Sequence, residues 1–206
     1  MKKLKLKNRP LLILLVAGFT FISLSFTPGK LNAQDQKANI ELLQKTEAFI
    51  TEQEVLDVQK KWGEGIVEIG KVYSGGCDYK AAALNHIEVL YGYNLGPVLF
   101  KPTMASQKQF RTNKEGALSY FVGNNPDYPE DHGFAIKPWS AVRWESIGIK
   151  TVGNMAIAMG NYYFTPSNGG HEVKVEYTFA YTKDENGHLR IIMHGSHLPY
   201  VPEEKH

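Results

Sequence analysis

Two histidines and a serine interrupt an apolar stretch near the C-terminus, IIMHGSHLPY, which spans residues 191–200. Side chains on a β-strand alternate between its two faces, so His194 and Ser196 share one face and His197 lies on the other. The two histidines therefore cannot bind one metal ion, for which a strand needs the spacing His-x-His. His194 beside a hydroxyl could serve acid–base chemistry, or it could be a hydrogen-bonded residue of the core.

Further hydroxyl groups come next to apolar segments in the second half of the chain. Thr103 and Ser106 follow the extended stretch YNLGPVLFKPT, and Ser119 and Tyr120 lie within GALSYFVG. Helix capping and packing account for these hydroxyls as readily as ligand binding does. The loop YPEDHGF, residues 128–134, is typical of a solvated acidic turn.

The sequence lacks the common catalytic motifs. It has no glycine-rich phosphate loop, no nucleophile elbow and no His-Glu-x-x-His pattern. Cys77 is the only cysteine, which excludes a disulfide within the chain and a paired-cysteine metal motif. Spacing alone therefore predicts a small domain with a polar-lined pocket and no specific chemistry.

The first 33 residues predict a secretory signal peptide. A basic head is followed by an apolar run over residues 11–26 and by a small-residue exit that ends at Ala33, after which we expect cleavage. The alternative is an uncleaved anchor, because the run approaches the roughly 18 residues of a short membrane span. No later stretch is long enough to span a bilayer. We therefore expect a periplasmic or secreted protein that has no membrane contact once the peptide is removed.

Removal of residues 1–33 changes the charge of the chain. The remaining residues carry 17 basic and 21 acidic side chains, a net charge of −4. A mildly acidic chain lacks the positive charge that nucleic-acid binding requires, so nucleic acid is excluded as a partner. The remaining length suits one domain, which we place at residues 51–202, after a polar N-terminal segment over residues 34–50.

Helical patterns come first along this domain. Thr51 and Glu54 have the spacing of a capping box, and apolar residues then recur every three or four positions as far as Ile69. Asp78 is placed to cap a second helix. Residues 106–122 predict a further helix or helical turn.

The last third of the chain has the period of β-strands. Four strand segments, residues 141–152, 155–165, 171–184 and 189–200, are separated by turns rich in Gly and Asn. Helices followed by an antiparallel meander predict an α+β fold, a cone in which N-terminal helices pack on a curved sheet and enclose a pocket. One face of the third segment carries Tyr177, Phe179 and Tyr181, with Tyr163 as a candidate neighbour. This face predicts either a pocket lining or a subunit contact.

Several long segments resemble a known family in both sequence and order. FKPTMASQKQFR, GALSYFVG, PEDHGFAIKPWSAVRWE, MAIAMGNYYF and VKVEYTFAYTKDENGHLRIIMHGSHLPY are similar to segments of the iota-class carbonic anhydrases. That class belongs to the nuclear-transport-factor-2-like superfamily and is related to the association domain of calmodulin-dependent kinase II. The resemblance covers roughly residues 101–200 and implies the cone-shaped fold and, commonly in this superfamily, a homodimer or higher homo-oligomer.

The resemblance also implies site residues. The terminal family motif is His-His-Ser-Ser followed by Leu-Pro-aromatic, and this chain keeps its first His as His194 and its first Ser as Ser196. Gly195 stands at the second His and His197 at the second Ser, two departures from the motif. The bicarbonate-binding Thr, Tyr and Ser of the family fall on Thr103, Tyr120 and Ser196.

The implied reaction is the reversible hydration of carbon dioxide to bicarbonate. The loss of a candidate ligand at Gly195 favours a site without a cofactor, with zinc or manganese as the alternative. We expect the three hydroxyls to hold a water and the carbon dioxide, and His194 to accept the released proton. The apolar wall would come from Ile192, Phe121 and one of the two tyrosines at residues 162–163.

Two other functions remain open from the sequence. One is a module of the same fold that binds a small ligand or assembles oligomers without catalysis, which the departures at Gly195 and His197 favour. The other is an enzyme of the same fold that acts on a larger organic substrate. A wide apolar cavity would favour this last function, and a hydration assay separates the first two.

Overall fold

The computed structural model describes residues 49–202, together with Asn32, Gln34, Gln36 and Lys37. These last four belong to a separate unit over residues 1–39, in which Gln34, Gln36 and Lys37 are helical. Apart from Asn32, the predicted signal peptide lies outside the described residues. The peptide, its cleavage, the export of the chain and the domain limits at residues 51 and 202 stay predictions. Within the described part of the chain, no helix is both long and apolar enough to span a bilayer.

Two capped helices come first among the described residues of the larger unit, which spans residues 40–206. Helix α1 (Glu52–Ser74) starts after Thr51, whose hydroxyl accepts the Glu54 amide while the Glu54 carboxylate accepts the Thr51 amide. The predicted capping box is therefore confirmed. Helix α2 (Tyr79–Leu90) starts after Asp78, which caps it as predicted. Both helices bury one apolar face in the core.

The third helix is shorter than predicted. Helix α3 covers only Lys114–Val122, where Asn113 caps it, and residues 106–113 are not helical. The backbone amides of residues 106–108 donate to the Glu130 carboxylate, a partner from a distant loop. Because this carboxylate already satisfies those amides, the segment does not form the first turn of a helix.

Five strands form one sheet: β1 (Leu99–Lys101), β2 (Trp139–Val152), β3 (Met155–Pro166), β4 (Val173–Lys183) and β5 (Leu189–His197). Their order is β1-β5-β4-β3-β2. Strands β2 to β5 form the predicted antiparallel meander, and the short β1 adds a parallel edge beside β5. The predicted α+β fold is confirmed.

A β-bulge in β5 changes which residues face the core. Ile191 pairs with Tyr181 and Met193 pairs with Ala180, so Ile192 is an extra residue between them. Ile191 and His194 are therefore both buried, although an unbroken strand would place them on opposite faces. Ile192 is only half-buried, and its prediction as part of the pocket wall was wrong.

The inner face of the sheet packs against α1 and forms the core around Trp62. Tyr177, Phe179 and Tyr181 are buried there, so these side chains belong to the core and do not form a surface for another subunit. Tyr162 shares the buried face, whereas Tyr163 lies on the opposite one. The predicted homodimer therefore rests on the family resemblance alone and stays a prediction.

Candidate active site

Strand β5 presents His194 and Ser196 on the inner face of the sheet. Both side chains are buried, at 2% and 3% exposure, while His197 is exposed on the other side. The prediction that the two histidines point apart is therefore confirmed. Gly195 pairs regularly with Thr178, so the irregularity of this strand lies at the Ile192 bulge and not at the glycine.

Thr103 reaches Ser196 from the parallel edge strand. Phe100 of β1 is in register with His194 of β5, and the chain then continues past the end of β1 alongside the end of β5. The Thr103 hydroxyl consequently lies 2.5 Å from the Ser196 hydroxyl. Two residues that are far apart in sequence thus form one hydrogen-bonded pair because β1 runs parallel to β5.

Tyr120 is brought to the same place by α3. Burial raises the pKa of its phenol above the usual value, against hydrogen bonds from the Met104 backbone and the Thr103 side chain. The phenol therefore keeps its proton at neutral pH and can donate it to a hydrogen bond. The structure thus gathers all four predicted site residues, Thr103, Tyr120, His194 and Ser196, around one cavity.

An acidic loop holds the segment that carries Thr103. The Glu130 carboxylate accepts the backbone amides of Ser106, Gln107 and Lys108 at 2.7–2.9 Å. These amide hydrogen bonds lower the pKa of Glu130 to about 2. The carboxylate is therefore ionised at neutral pH and fastens the Thr103 segment to the loop after α3.

The neighbouring acid forms a buried ion pair. Asp131 lies 2.7 Å from Arg111 and accepts a hydrogen bond from the Ser119 hydroxyl at 2.6 Å. The Arg111 and Asp131 side chains are 0% and 2% exposed. The prediction of a solvated acidic turn was therefore wrong, because Arg111, which sequence spacing did not single out, pairs closely with Asp131 and lies 3.7 Å from Glu130 inside the protein.

Two tyrosines at the site were not assigned from the sequence. The Tyr162 hydroxyl is hydrogen-bonded to the Ser196 hydroxyl and lies 3.3 Å from Nε2 of His194. The Tyr91 hydroxyl lies 2.9 Å from Nδ1 of His194. The sequence predicted that one of the two adjacent tyrosines of β3 lines the site. The register of that strand places Tyr162 on the inner face. No sequence pattern marked Tyr91. It comes directly after α2, and its backbone pairs with Ile191 of β5, which brings it to the site.

His194 is held in an aromatic slot. Its ring stacks on Phe100 at 4.7 Å and on Phe179 at 4.0 Å between ring centroids, with the planes inclined by 11° and 19°. Burial lowers the pKa of His194 well below the ordinary histidine value. The imidazole is therefore neutral at physiological pH, with a tyrosine hydroxyl at each nitrogen.

The cavity enclosed by these groups is small. It has a volume of about 10 Å³, the space of one water-sized group. Its lining combines hydroxyls with aromatic rings: Trp62, Phe100, Pro102, Thr103, Tyr120, Phe121, Phe134, Tyr162, His194 and Ser196. This volume argues against a larger organic substrate at this place.

A wider hollow adjoins the cavity on the side of α3. It measures about 250 Å³ and shares Tyr120 and Phe134 with the cavity. His132 and Lys137, both exposed, lie along its rim. The stacked rings of Tyr120 and Phe134 therefore border both the cavity and the hollow.

No metal-binding cluster accompanies the site. In the part of the chain that the structure describes, no three His, Cys, Asp or Glu side chains are grouped so that they could hold an ion. His194 offers no free nitrogen, because Tyr91 and Tyr162 occupy both positions. The nitrogens of Trp62 and His194 are bound to tyrosine hydroxyls, so the remaining polar groups of the cavity are hydroxyls, which suit a small neutral or anionic ligand.

Known proteins match this chain over most of its length. A family model described as metal-independent carbonic anhydrase matches residues 53–198. A metal-independent carbonic anhydrase of Nostoc sp. (strain PCC 7120) is 47% identical over 154 residues, which are 73% of this chain and 75% of the relative. A crystal structure of an iota-carbonic anhydrase from a cyanobacterium, complexed with bicarbonate, covers 75% of this chain and 96% of its own chain. Its TM-score is 0.73 and its identity is 45%.

These matches agree with the structure at two levels. The solved relative has the same α+β architecture, and the family resemblance of the motifs is confirmed. The description of the family as metal-independent also agrees with the expectation of a site without a cofactor. Since a family model covers more than half of the chain and a relative shares 47% of residues, this chain belongs to the metal-independent carbonic anhydrase family.

Proposed function

We propose that this chain catalyses the reversible hydration of carbon dioxide to bicarbonate, without a metal, in the cavity around Ser196. The observation that carries the proposal is the convergence of Thr103, Tyr120 and Ser196 on one small buried cavity. A family that is named for this reaction supplies the reaction type. The export of the chain and its assembly into homodimers stay predictions.

The hydroxyls have two tasks in this mechanism. They hold one water molecule in the cavity, and carbon dioxide, for which the cavity has no room beside the water, meets it from the side of the adjoining hollow, so that a bimolecular encounter becomes an oriented reaction. As the water oxygen forms its bond to carbon, negative charge develops on the carbon dioxide oxygens, and hydroxyl donors from Thr103 and Tyr120 stabilise it. The water loses one proton, and bicarbonate leaves as the product.

His194 receives a different role from the one expected. The low pKa of its buried imidazole makes it a poor store for the released proton. Its two tyrosine partners instead make it a support for Tyr162 and, through Tyr162, for Ser196. We propose that the proton passes to solvent water through the hollow beside Tyr120 and Phe134.

The aromatic lining suits the substrate. Phe100, Phe121 and Phe134 form apolar walls against the hydroxyls, and carbon dioxide is an apolar molecule that gains from leaving water. Bicarbonate is charged and needs the hydroxyl side of the same cavity. The site thus offers aromatic walls to carbon dioxide and hydroxyl groups to bicarbonate, so it suits both the substrate and the product.

The alternative, a ligand-binding module without catalysis, loses part of its support. It was favoured by the departures from the family motif at Gly195 and His197. Both residues lie outside the cavity lining, and the hydroxyls that the proposed mechanism uses are all present. The departures therefore do not remove any group that the mechanism requires.

Bicarbonate binding tests the proposed site. Thr103→Val keeps the side-chain shape and removes the hydroxyl, so it is expected to weaken bicarbonate binding by about tenfold or more, as for a lost hydrogen bond to a charged group. Line broadening of ¹³C-labelled bicarbonate in NMR measures the affinity. Thr165→Val is the matched control, since among the described residues its hydroxyl donates to Glu172 near the end of β3, away from the cavity. Equal binding by both variants and the parent would refute the site.

A further inference from the structure

A continuous line of hydrogen bonds connects the centre of the core to the candidate active site. The indole nitrogen of Trp62 lies 2.9 Å from the Tyr91 hydroxyl, which lies 2.9 Å from Nδ1 of His194. Nε2 of His194 lies 3.3 Å from the Tyr162 hydroxyl. From there the line continues to the Ser196 hydroxyl and, over 2.5 Å, to that of Thr103. We call this series the Trp62–Thr103 relay.

The first member determines the direction of the next two bonds. An indole N–H can only donate, so the Tyr91 oxygen accepts from Trp62. The single Tyr91 proton is then free to be donated to Nδ1 of His194. If Nδ1 of His194 instead donated to Tyr91, the Tyr91 oxygen would accept two hydrogen bonds. Its own proton would then be buried without a partner, which is costly. Trp62 therefore favours His194 with its proton on Nε2.

The hydrogen bonds among the hydroxyl groups then run in the same direction. With Nε2 protonated, the imidazole donates to the Tyr162 oxygen, and the Tyr162 proton is donated to Ser196. Ser196 in turn donates to Thr103, because its own proton would otherwise be buried without a partner. The Thr103 proton is left for the cavity or for the neighbouring Tyr120. Each donor in the relay thus points toward the place where bicarbonate would lie.

Burial keeps water from disturbing this order. Trp62, Tyr91 and Tyr162 are exposed by only 1–2%, and His194 cannot rotate freely between its two stacked rings. Away from water, a donor or acceptor group that lacks a partner is costly. The hydrogen bonds of the relay therefore strongly favour one direction. The hydroxyls are therefore oriented before a ligand arrives, as electrostatic catalysis requires.

We propose that Trp62 and Tyr91 are positioning residues that set the direction of the Trp62–Thr103 relay and so present the Thr103 hydroxyl proton to the ligand in the cavity. The link to catalysis rests on the proposed function. The direction itself does not, because it follows from donors, acceptors and burial alone.

The tautomer of His194 reports the direction without any assay of activity. In ¹⁵N NMR of the parent protein at neutral pH, Nε2 of His194 is expected to carry the proton and Nδ1 to lack it. The spectrum of His194→Gln identifies the resonances. A proton on Nδ1 in the parent overturns the proposal, whatever the enzyme does with carbon dioxide.

Two substitutions test whether Trp62 and Tyr91 set the direction of the relay. Trp62→Phe and Tyr91→Phe each remove one donor, and each is expected to lower kcat for carbon dioxide hydration by about tenfold, with KM changed less than about twofold. Both are also expected to give a mixture of His194 tautomers. Tyr91→Phe removes a single oxygen and remains informative if Trp62→Phe is poorly folded.

Trp144→Phe provides the matched control. Trp144 lies 5.8 Å from Trp62 between ring centroids, and its indole nitrogen is buried without a partner among the described residues. This variant makes the same Trp-to-Phe change next to Trp62 but removes no hydrogen bond of the relay. The proton of His194 is therefore expected to stay on Nε2, and kcat is expected to stay within about twofold of the parent value. Equal losses in all three variants, with the tautomer unchanged, would show a packing role and overturn the proposal. An inactive parent with the expected tautomer would instead refute the proposed function and leave the relay intact.

Discussion

Ser196→Ala is expected to lower kcat/KM for carbon dioxide hydration by about 100-fold, the effect of removing one donor from a preorganised site. Ser196 joins Thr103 to Tyr162, so its loss breaks the hydroxyl series in the middle as well as removing a ligand contact. The remaining hydroxyls then have no fixed arrangement toward the cavity. Stopped-flow hydration with a pH indicator measures the change.

Ser140→Ala is the control for this substitution. Ser140 is also a strand serine, but it is exposed, and within the described part of the chain its hydroxyl donates to the backbone oxygen of Thr165, at 3.1 Å. Its loss is expected to leave kcat/KM within about twofold of the parent. If Ser196→Ala melts at the parent temperature and retains more than about half of the parent kcat/KM, Ser196 has no part in the reaction.

The substitution Asp131→Asn is expected to lower the free energy of unfolding by about 3–5 kcal/mol, the usual loss when one member of a buried ion pair is removed. Arg111 is fully buried, and its Nε and Nη1 atoms have no partner among the described residues. Asparagine would leave the guanidinium with the Glu130 carboxylate alone, 3.7 Å away. Urea unfolding monitored by tryptophan fluorescence measures the loss.

An exposed ion pair gives the matched comparison. Glu172 pairs with Arg143 at 3.0 Å, but the two side chains are 41% and 51% exposed. Glu172→Gln is therefore expected to leave the free energy of unfolding close to that of the parent, because solvent screens this pair. A similarly small loss for Asp131→Asn would mean that the Arg111 pair does not stabilise the loop behind Tyr120 and Thr103.

Local sequence patterns were sufficient where short-range forces decide the structure. The capping box at Thr51 and the cap at Asp78 depend on residues within one helical turn, and both helices begin where the pattern places them. The alternation of β4 predicted its buried face. His194 and Ser196 lie two residues apart after the bulge, so strand alternation alone placed them together.

Long-range partners were the limit of the sequence analysis. No local pattern shows that Glu130 would take the amides of residues 106–108 and prevent a helix there. Nor does local alternation reveal the bulge at Ile192, since a bulge depends on the pairing of β5 with β4. Tyr91 and Arg111 carry no distinguishing neighbours in sequence, and they gain their importance only from what the fold places beside them.

Resemblance and structure contributed different parts of the site. The family motifs placed Thr103, Tyr120 and Ser196 in one site, and their convergence on one cavity is a feature of the fold. The motifs did not include the supports of these groups, Tyr162 behind Ser196 and the aromatic slot around His194. Those supports come from three different strands, and only tertiary structure brings them together.

The hydration rate of carbon dioxide by metal-depleted protein is the most direct test of metal-free catalysis at this site. After exhaustive chelation, with residual metal measured by mass spectrometry, the chain is expected to accelerate hydration above the buffer background, and added zinc or manganese is expected to leave the rate unchanged. A rate that appears only after a metal is restored would contradict the metal-free mechanism. A rate equal to background in both conditions would contradict catalysis itself and favour a ligand-binding module.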